Sequence, residues 1–171
     1  MAKVQIIAGR RVVKKPTPVK TVEKSRKLPA PPRSKEMTGL SLKQLLKATP
    51  PYIKSNADDV VVKTLKEATT KGGLPGVRAK TQTVRSKNRQ VYDTSIVGKQ
   101  AGIPVSQQKH VLVSCSCGFF TYYCEVALNH WGSANIKYSN GAHPDVTNPG
   151  LHPLMCKHLV SLAKTVVEEG M

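Results

Sequence analysis

The chain has 171 residues and a formal net charge of +17, from 27 Lys and Arg against 10 Asp and Glu. That length holds one ordinary core with extensions and excludes two full-sized domains, and 12 Pro, 12 Gly and only 5% aromatic residues mean that much of the chain is extended or looped. Such a charge excess points to a polyanionic partner.

The charge is unevenly spread. Residues 1–36 carry 11 Lys/Arg and 2 acids, residues 37–110 carry 13 and 4, and residues 111–171 carry 3 and 4. The last third is therefore nearly neutral, and the positive field belongs to the segments before it. No run of about 18 apolar residues is present to span a bilayer, and the N-terminus lacks the apolar stretch of a secretory signal. The sequence thus predicts a protein that is not secreted, in a compartment that keeps thiols reduced, with neither a membrane nor a small-molecule substrate as partner.

In chain order, residues 1–36 read as a basic arm. Pro16, Pro18, Pro29, Pro31 and Pro32 prevent a continuous helix and favour extended backbone, and Arg10, Arg11, Lys14, Lys15, Arg26 and Lys27 are its candidate contacts to nucleic acid or an acidic partner. Residues 37–76 read as a helical segment. Leu42, Leu45 and Leu46 share one face of a helix over 40–49 that Pro50-Pro51 ends. A second helix is predicted at about 57–70, with Asp58 and Asp59 in its first turn, Val61, Leu65 and Ala68 on one face and Gly72-Gly73 as its stop. Together they make a helical hairpin.

From residue 77 to 171 the pattern is that of a metal-binding domain. Thr81 to Arg85, Gln90 to Val97 and His110 to Ser114 are rich in β-branched residues and predict a three-stranded antiparallel sheet. Arg78, Lys80, Arg85, Lys87 and Arg89 gather around its first strand. In an extended chain Arg85, Lys87 and Arg89 point to one side, forming either a solvated face or a ridge that meets phosphates or an acidic surface. A helix at 119–131, a polar loop at about 139–153 and a helix at about 154–168 follow. The fold class is α+β: a small antiparallel sheet with two C-terminal helices around a zinc site, preceded by the helical hairpin and the extended basic arm.

The chemistry lies in two short-gapped pairs, Cys115-x-Cys117 at a strand end and Cys156-x-His158 at a helix start. Thiolates and imidazole are the preferred donors for Zn2+, and four protein ligands fill its tetrahedral sphere, which leaves no position for substrate or water. Gly118 lets the first pair bend toward the ion, and the helix N-terminus favours the Cys156 thiolate. The apolar face of the last helix, Leu159, Leu162, Ala163 and Val166, couples metal binding to core formation. Inert core thiols are the bland alternative. Cys124 reads as a small apolar core residue, with His110, His130, His143 and His152 as alternate ligands.

This arrangement, C-x-C then C-x-H with a sheet before and a helix after, resembles the SWIM-type zinc finger over about residues 80–168. The resemblance implies Cys115, Cys117, Cys156 and His158 as the ligands; the 38 residues between the pairs exceed the family's usual spacing. The stretches VYDTSIVG, VSCSCGFFTYYCEVALNHWGSANIKYSNG, TNPG and MCKHLVSLA resemble a group of small tailed-bacteriophage proteins regarded as structural or late-expressed. That resemblance implies a virion component, with neighbouring subunits as partners and the first 36 residues as an assembly arm; otherwise a cytoplasmic location is expected.

Two further features stay open. Tyr138, Asn140, Gly141, Pro144 and Asn148-Pro149-Gly150 supply turns that return the long loop to Cys156. Phe119, Phe120, Tyr122, Tyr123 and Trp131 form either core or a stacking surface for bases. The leading expectation is a non-enzymatic zinc-stapled interaction protein, and the second is a DNA-binding regulatory or packaging protein using the arm and the ridge. No helix-turn-helix, RNA-binding or hydrolase motif is recognisable.

Overall fold

The computed structural model describes residues 38–85 and 89–171. Helix α1 (Leu42–Ala48) is opened by Ser41. The Ser41 hydroxyl accepts from the Gln44 N–H at 3.2 Å, and the Gln44 side-chain oxygen accepts from the Ser41 N–H at 2.8 Å, which satisfies two donors that the helix leaves open. Leu42 and Leu45 are buried as their spacing predicts. Pro50-Pro51 does end α1, yet Pro51 also starts a second helix, α2 (Pro51–Asn56), because the first helical position has no intrahelical use for an N–H.

The helix expected over 57–70 is a strand. Asp58 and Asp59 lie in a single 3-10 turn, and Val60–Thr69 forms β1, which pairs antiparallel with β2 (Pro75–Thr83) from Val60 opposite Thr83 to Thr69 opposite Pro75. The β-branched Val60, Val61, Val62, Thr64 and Thr69 lose rotamer freedom in a helix and pack well on a pleated surface. Gly72-Gly73 is the hairpin turn, closed by the Thr70 N–H on the Leu74 carbonyl at 2.9 Å. Two short helices and a strand thus stand where a helical hairpin was expected.

β3 (Val91–Gly98) and β4 (Val111–Cys115) complete a four-stranded antiparallel meander in the order β1-β2-β3-β4, one strand more than the sequence suggests. On β2 the buried Val77, Ala79, Thr81 and Thr83 alternate with the exposed Arg78 and Lys80. The buried face packs against the C-terminal helix α4 (Lys157–Glu168), which contacts all four strands. Leu159, Leu162, Ala163 and Val166 of α4 are fully buried, as predicted, and join Val77, Ile96, Val113, Phe120 and Leu128 in one core. The helix expected at 119–131 begins as a π turn over Phe120–Cys124 and continues as α3 (Glu125–His130). Among the described residues no helix is long and apolar enough to cross a membrane.

Two buried polar side chains organise the connections. The Glu125 carboxylate, with no exposure to solvent, accepts from the backbone N–H groups of Lys137 at 2.9 Å, Tyr138 at 3.0 Å and Ser139 at 2.5 Å, so its burial is compensated and the segment after α3 is pinned. Gln108 folds the β3–β4 connection around itself, accepting from the N–H groups of Lys99 and Gln100 and donating to the carbonyls of Gln100 and Ile103. Gly98 makes room for it, since a Cβ there would stand 2.6 Å from Cδ of Gln108. Gly98→Ala is expected to lower stability by about 1–3 kcal/mol through overpacking, read as a lower urea midpoint with an unchanged m-value.

Candidate metal centre

β4 ends at Cys115, and the chain turns through Ser116 into the helical segment that follows Gly118, which brings Cys117 back beside Cys115. Cys156 is the N-cap of α4 and His158 lies in that helix's first turn. The four donor atoms of Cys115, Cys117, Cys156 and His158 all lie within 4.8 Å of one another, and all four residues are buried. Around an ion with metal–sulfur bonds of about 2.3 Å, the edges of a tetrahedron measure about 3.8 Å. The cluster therefore fits a four-coordinate ion after a small contraction.

Local hydrogen bonds support this fit. Nδ1 of His158 is buried and has no partner, whereas the other ring nitrogen, Nε2, lies 3.2 Å from the Thr83 hydroxyl. An imidazole bonded through one nitrogen and bare at the other is arranged as a ligand, with Thr83 fixing its tautomer and ring orientation. Tyr92 packs on the same ring at 4.6 Å between centroids. Phe120 donates its N–H to the Cys117 sulfur at 3.3 Å.

The electrostatics tell the same story. Cys117 is pulled far below the ordinary thiol range because Cys115 and then Cys156 direct hydrogen bonds at its sulfur. Cys115 is pushed up chiefly by sharing that hydrogen bond with Cys117. Burial pushes the Cys156 thiol up. A divalent ion held among the three sulfurs would let all of them ionise.

Cys124 stands outside the cluster, as expected of a core thiol: it is fully buried, burial raises it well above its usual range, and its S–H reaches the Phe119 carbonyl at 3.8 Å. The alternate histidines are also elsewhere, His110 on the Gly39 carbonyl at 2.8 Å and His143 on Asp145 at 2.8 Å; His130 and His152 likewise lie outside the four-residue cluster. Asn148 closes the long loop, donating to the carbonyls of Tyr123 and His152, each at 3.0 Å.

The basic candidates separate into groups. Arg78 and Lys80 lie exposed on the outer face of β2. Arg85 sits in the turn after β2 and pairs with Asp59 at 3.2 Å, and Arg89, at φ 41°, lies across the connection with its carbonyl bonded by the Gln82 amide. Arg85 lies in the turn after Thr83, where β2 ends, and the ridge expected with Lys87 falls partly outside the described residues. Lys87 and the arm residues Arg10, Arg11, Lys14, Lys15, Arg26 and Lys27 lie outside the described residues. The aromatic run divides as well: Phe120 is core, whereas Tyr122 is 69% exposed and Tyr123 and Phe119 are partly so. Thr83 and Glu125 were not singled out from sequence; a lone acid within an otherwise apolar helical run was the available sign of the second.

Comparison with protein-family models, with curated proteins and with solved structures finds no match. The assignment of a candidate metal centre rests on the four-donor geometry itself. Cys156→Ser is expected to lose the bound metal and the cooperative unfolding of the α4–sheet core, while Cys124→Ala keeps one metal per chain, both measured by elemental analysis and thermal unfolding. Thr83→Val is expected to weaken metal affinity about 10- to 100-fold, as for other groups that orient a ligand, in competition with a chromophoric chelator.

Proposed function

We propose that this chain is a non-enzymatic interaction protein in which Zn2+ staples β4 to α4. The carrying observation is the closed donor set: three sulfurs and one nitrogen within 4.8 Å of one another are the number and kind of donors that fill a tetrahedral sphere, the pattern of structural rather than catalytic zinc. Zn2+ suits this mixture of thiolates and imidazole better than hard ions, which take oxygen ligands. The C-x-C and C-x-H pairs, with strand before and helix after, keep the resemblance to a SWIM-type finger as the best description of the module.

The surface beside the zinc supports an interaction role. A cavity of about 320 Å³ opens next to Cys117, Cys156 and His158 and is walled by Tyr52, Ile53 and Phe119. Tyr52 is 61% exposed, and Phe119 stacks on Tyr123 with 4.5 Å between ring centroids. Aromatic side chains gathered at a rigid, partly exposed site are the usual anchors of protein interfaces. We read the partner as neighbouring subunits of an assembly, a bacteriophage virion in keeping with the sequence resemblance, reached through these aromatics and the basic arm.

Sedimentation velocity of the zinc-loaded full chain tests this reading. Association that rises with concentration, and that weakens at least tenfold in Tyr52→Ser/Phe119→Ser while zinc is retained, is the expected outcome. A chain that stays monomeric at every concentration and is found in no particle fraction would count against it.

A further inference from the structure

The face of the sheet turned away from α4 carries a second feature. The register places Lys66 of β1 opposite Arg78 of β2, Arg78 opposite Ser95 of β3, and Ser95 opposite Ser114 of β4. One straight row across four strands thus reads Lys, Arg, Ser, Ser. The neighbouring row sets Thr64 opposite Lys80 and Lys80 opposite Asp93. These residues, with Lys137 and Tyr138, line a concave surface of about 470 Å³.

The charges in this groove do not neutralise one another. Four cations line it against one carboxylate, Asp93, which is paired with Lys80 at 2.9 Å. Among the described residues neither Lys66 nor Arg78 forms an ion pair. Like charges directly opposite on antiparallel strands repel and destabilise the pair, and the meander could have placed any polar residue at either position. The Ser114 hydroxyl, on the same face, is shielded from solvent and has no hydrogen-bond partner. Lys137 is brought to the edge by the Glu125 carboxylate, which holds its backbone N–H, and its ammonium lies 4.8 Å from the Tyr138 ring centroid.

We propose that this outer sheet face is a phosphate-binding groove, in which Lys66, Arg78 and Lys137 meet phosphate oxygens and the Ser95 and Ser114 hydroxyls donate to them. Arg with paired Lys matches the charge and fork geometry of phosphate, and the unpartnered Ser114 hydroxyl beside cations suits an oxyanion with several acceptor oxygens. The phosphates belong either to a nucleic-acid backbone or to a small polyphosphate. The groove depends neither on the zinc reading nor on assembly, and of the basic candidates read from the sequence it takes in Arg78 and Lys80.

The test uses the zinc-loaded full chain and two charge-matched double variants: Lys66→Gln/Arg78→Gln in the groove, and Lys43→Gln/Lys71→Gln on exposed positions away from it. Binding to a single-stranded oligonucleotide, a duplex, tripolyphosphate and polyglutamate is followed across a salt series, with zinc content as the folding check. The groove variant is expected to lose at least tenfold affinity for a phosphate probe and to flatten the log–log salt slope for single strands by about 1.4, the value for two lost contacts; the control should lose less than threefold. Loss with tripolyphosphate as well as with oligonucleotide assigns a small polyphosphate site, and loss confined to the oligonucleotides assigns a backbone site. Lys137→Gln, on a loop outside the strands, should weaken the same probe if the strand variant misfolds. Equal losses in groove and control variants, or polyglutamate binding as tight and as sensitive to the groove substitutions as any phosphate probe, would overturn the proposal.

Discussion

Three sulfurs and an imidazole, their donor atoms within 4.8 Å of one another, form the buried contact at which the end of β4 meets the start of α4. Two thiolates about 4 Å apart repel by roughly 4 kcal/mol even at an effective dielectric of 20, so the metal-free cluster must keep protons on its sulfurs and hold them in hydrogen bonds. A cation bound there would remove that conflict between the sulfurs and join β4 to α4. Everything else in the described residues is arranged around this junction: β4 delivers the first pair, α4 delivers the second, and the apolar face of α4 then lies on the sheet.

The same junction explains why the orienting groups come from far away in sequence. Thr83 ends β2 and reaches His158 only because β1, β2 and β3 carry it to the edge of the cluster, and Tyr92, early in β3, packs on the other side of the ring. The meander is therefore both the wall of the core and the frame that sets one imidazole's tautomer. Its opposite face is free of that duty, and there the alternation of a strand exposes cations instead of burying valines.

What was legible in the sequence was local. The two ligand pairs, the leucine face of α1, the apolar face of α4 and strands β3 and β4 all follow from spacings of one to four residues, which a single chain displays openly; of β2, which runs from Pro75 to Thr83, only the part from Thr81 was read. β1 was not legible in the same way, because Val61, Leu65 and Ala68 satisfy a helical spacing while Val60, Val61 and Val62 satisfy a strand; only the pairing with β2, a non-local contact, decides between them. The ridge expected at Arg85 to Arg89 rests on a period of two, which gives one-sidedness only while the chain stays extended; Arg85 lies in the turn after Thr83, and Lys87 is outside the described residues. Glu125 and Gln108 escaped notice because their roles are set by backbone amides of other segments, which no side-chain pattern records.

The 38 residues between Cys117 and Cys156 have their two ends fixed by the cluster, so in topological terms they are a closed loop hung from one point. The entropy of closing such a loop grows only with the logarithm of its length, about 0.6 kcal/mol for each doubling. Segments can thus be added or removed at little thermodynamic cost only in the exposed part of that loop, about residues 139–147, because Phe120, Leu128 and Met155 of the same stretch belong to the core. The junction between β4 and α4 in this way also leaves the exposed part of the loop beside it open to change without rebuilding the core.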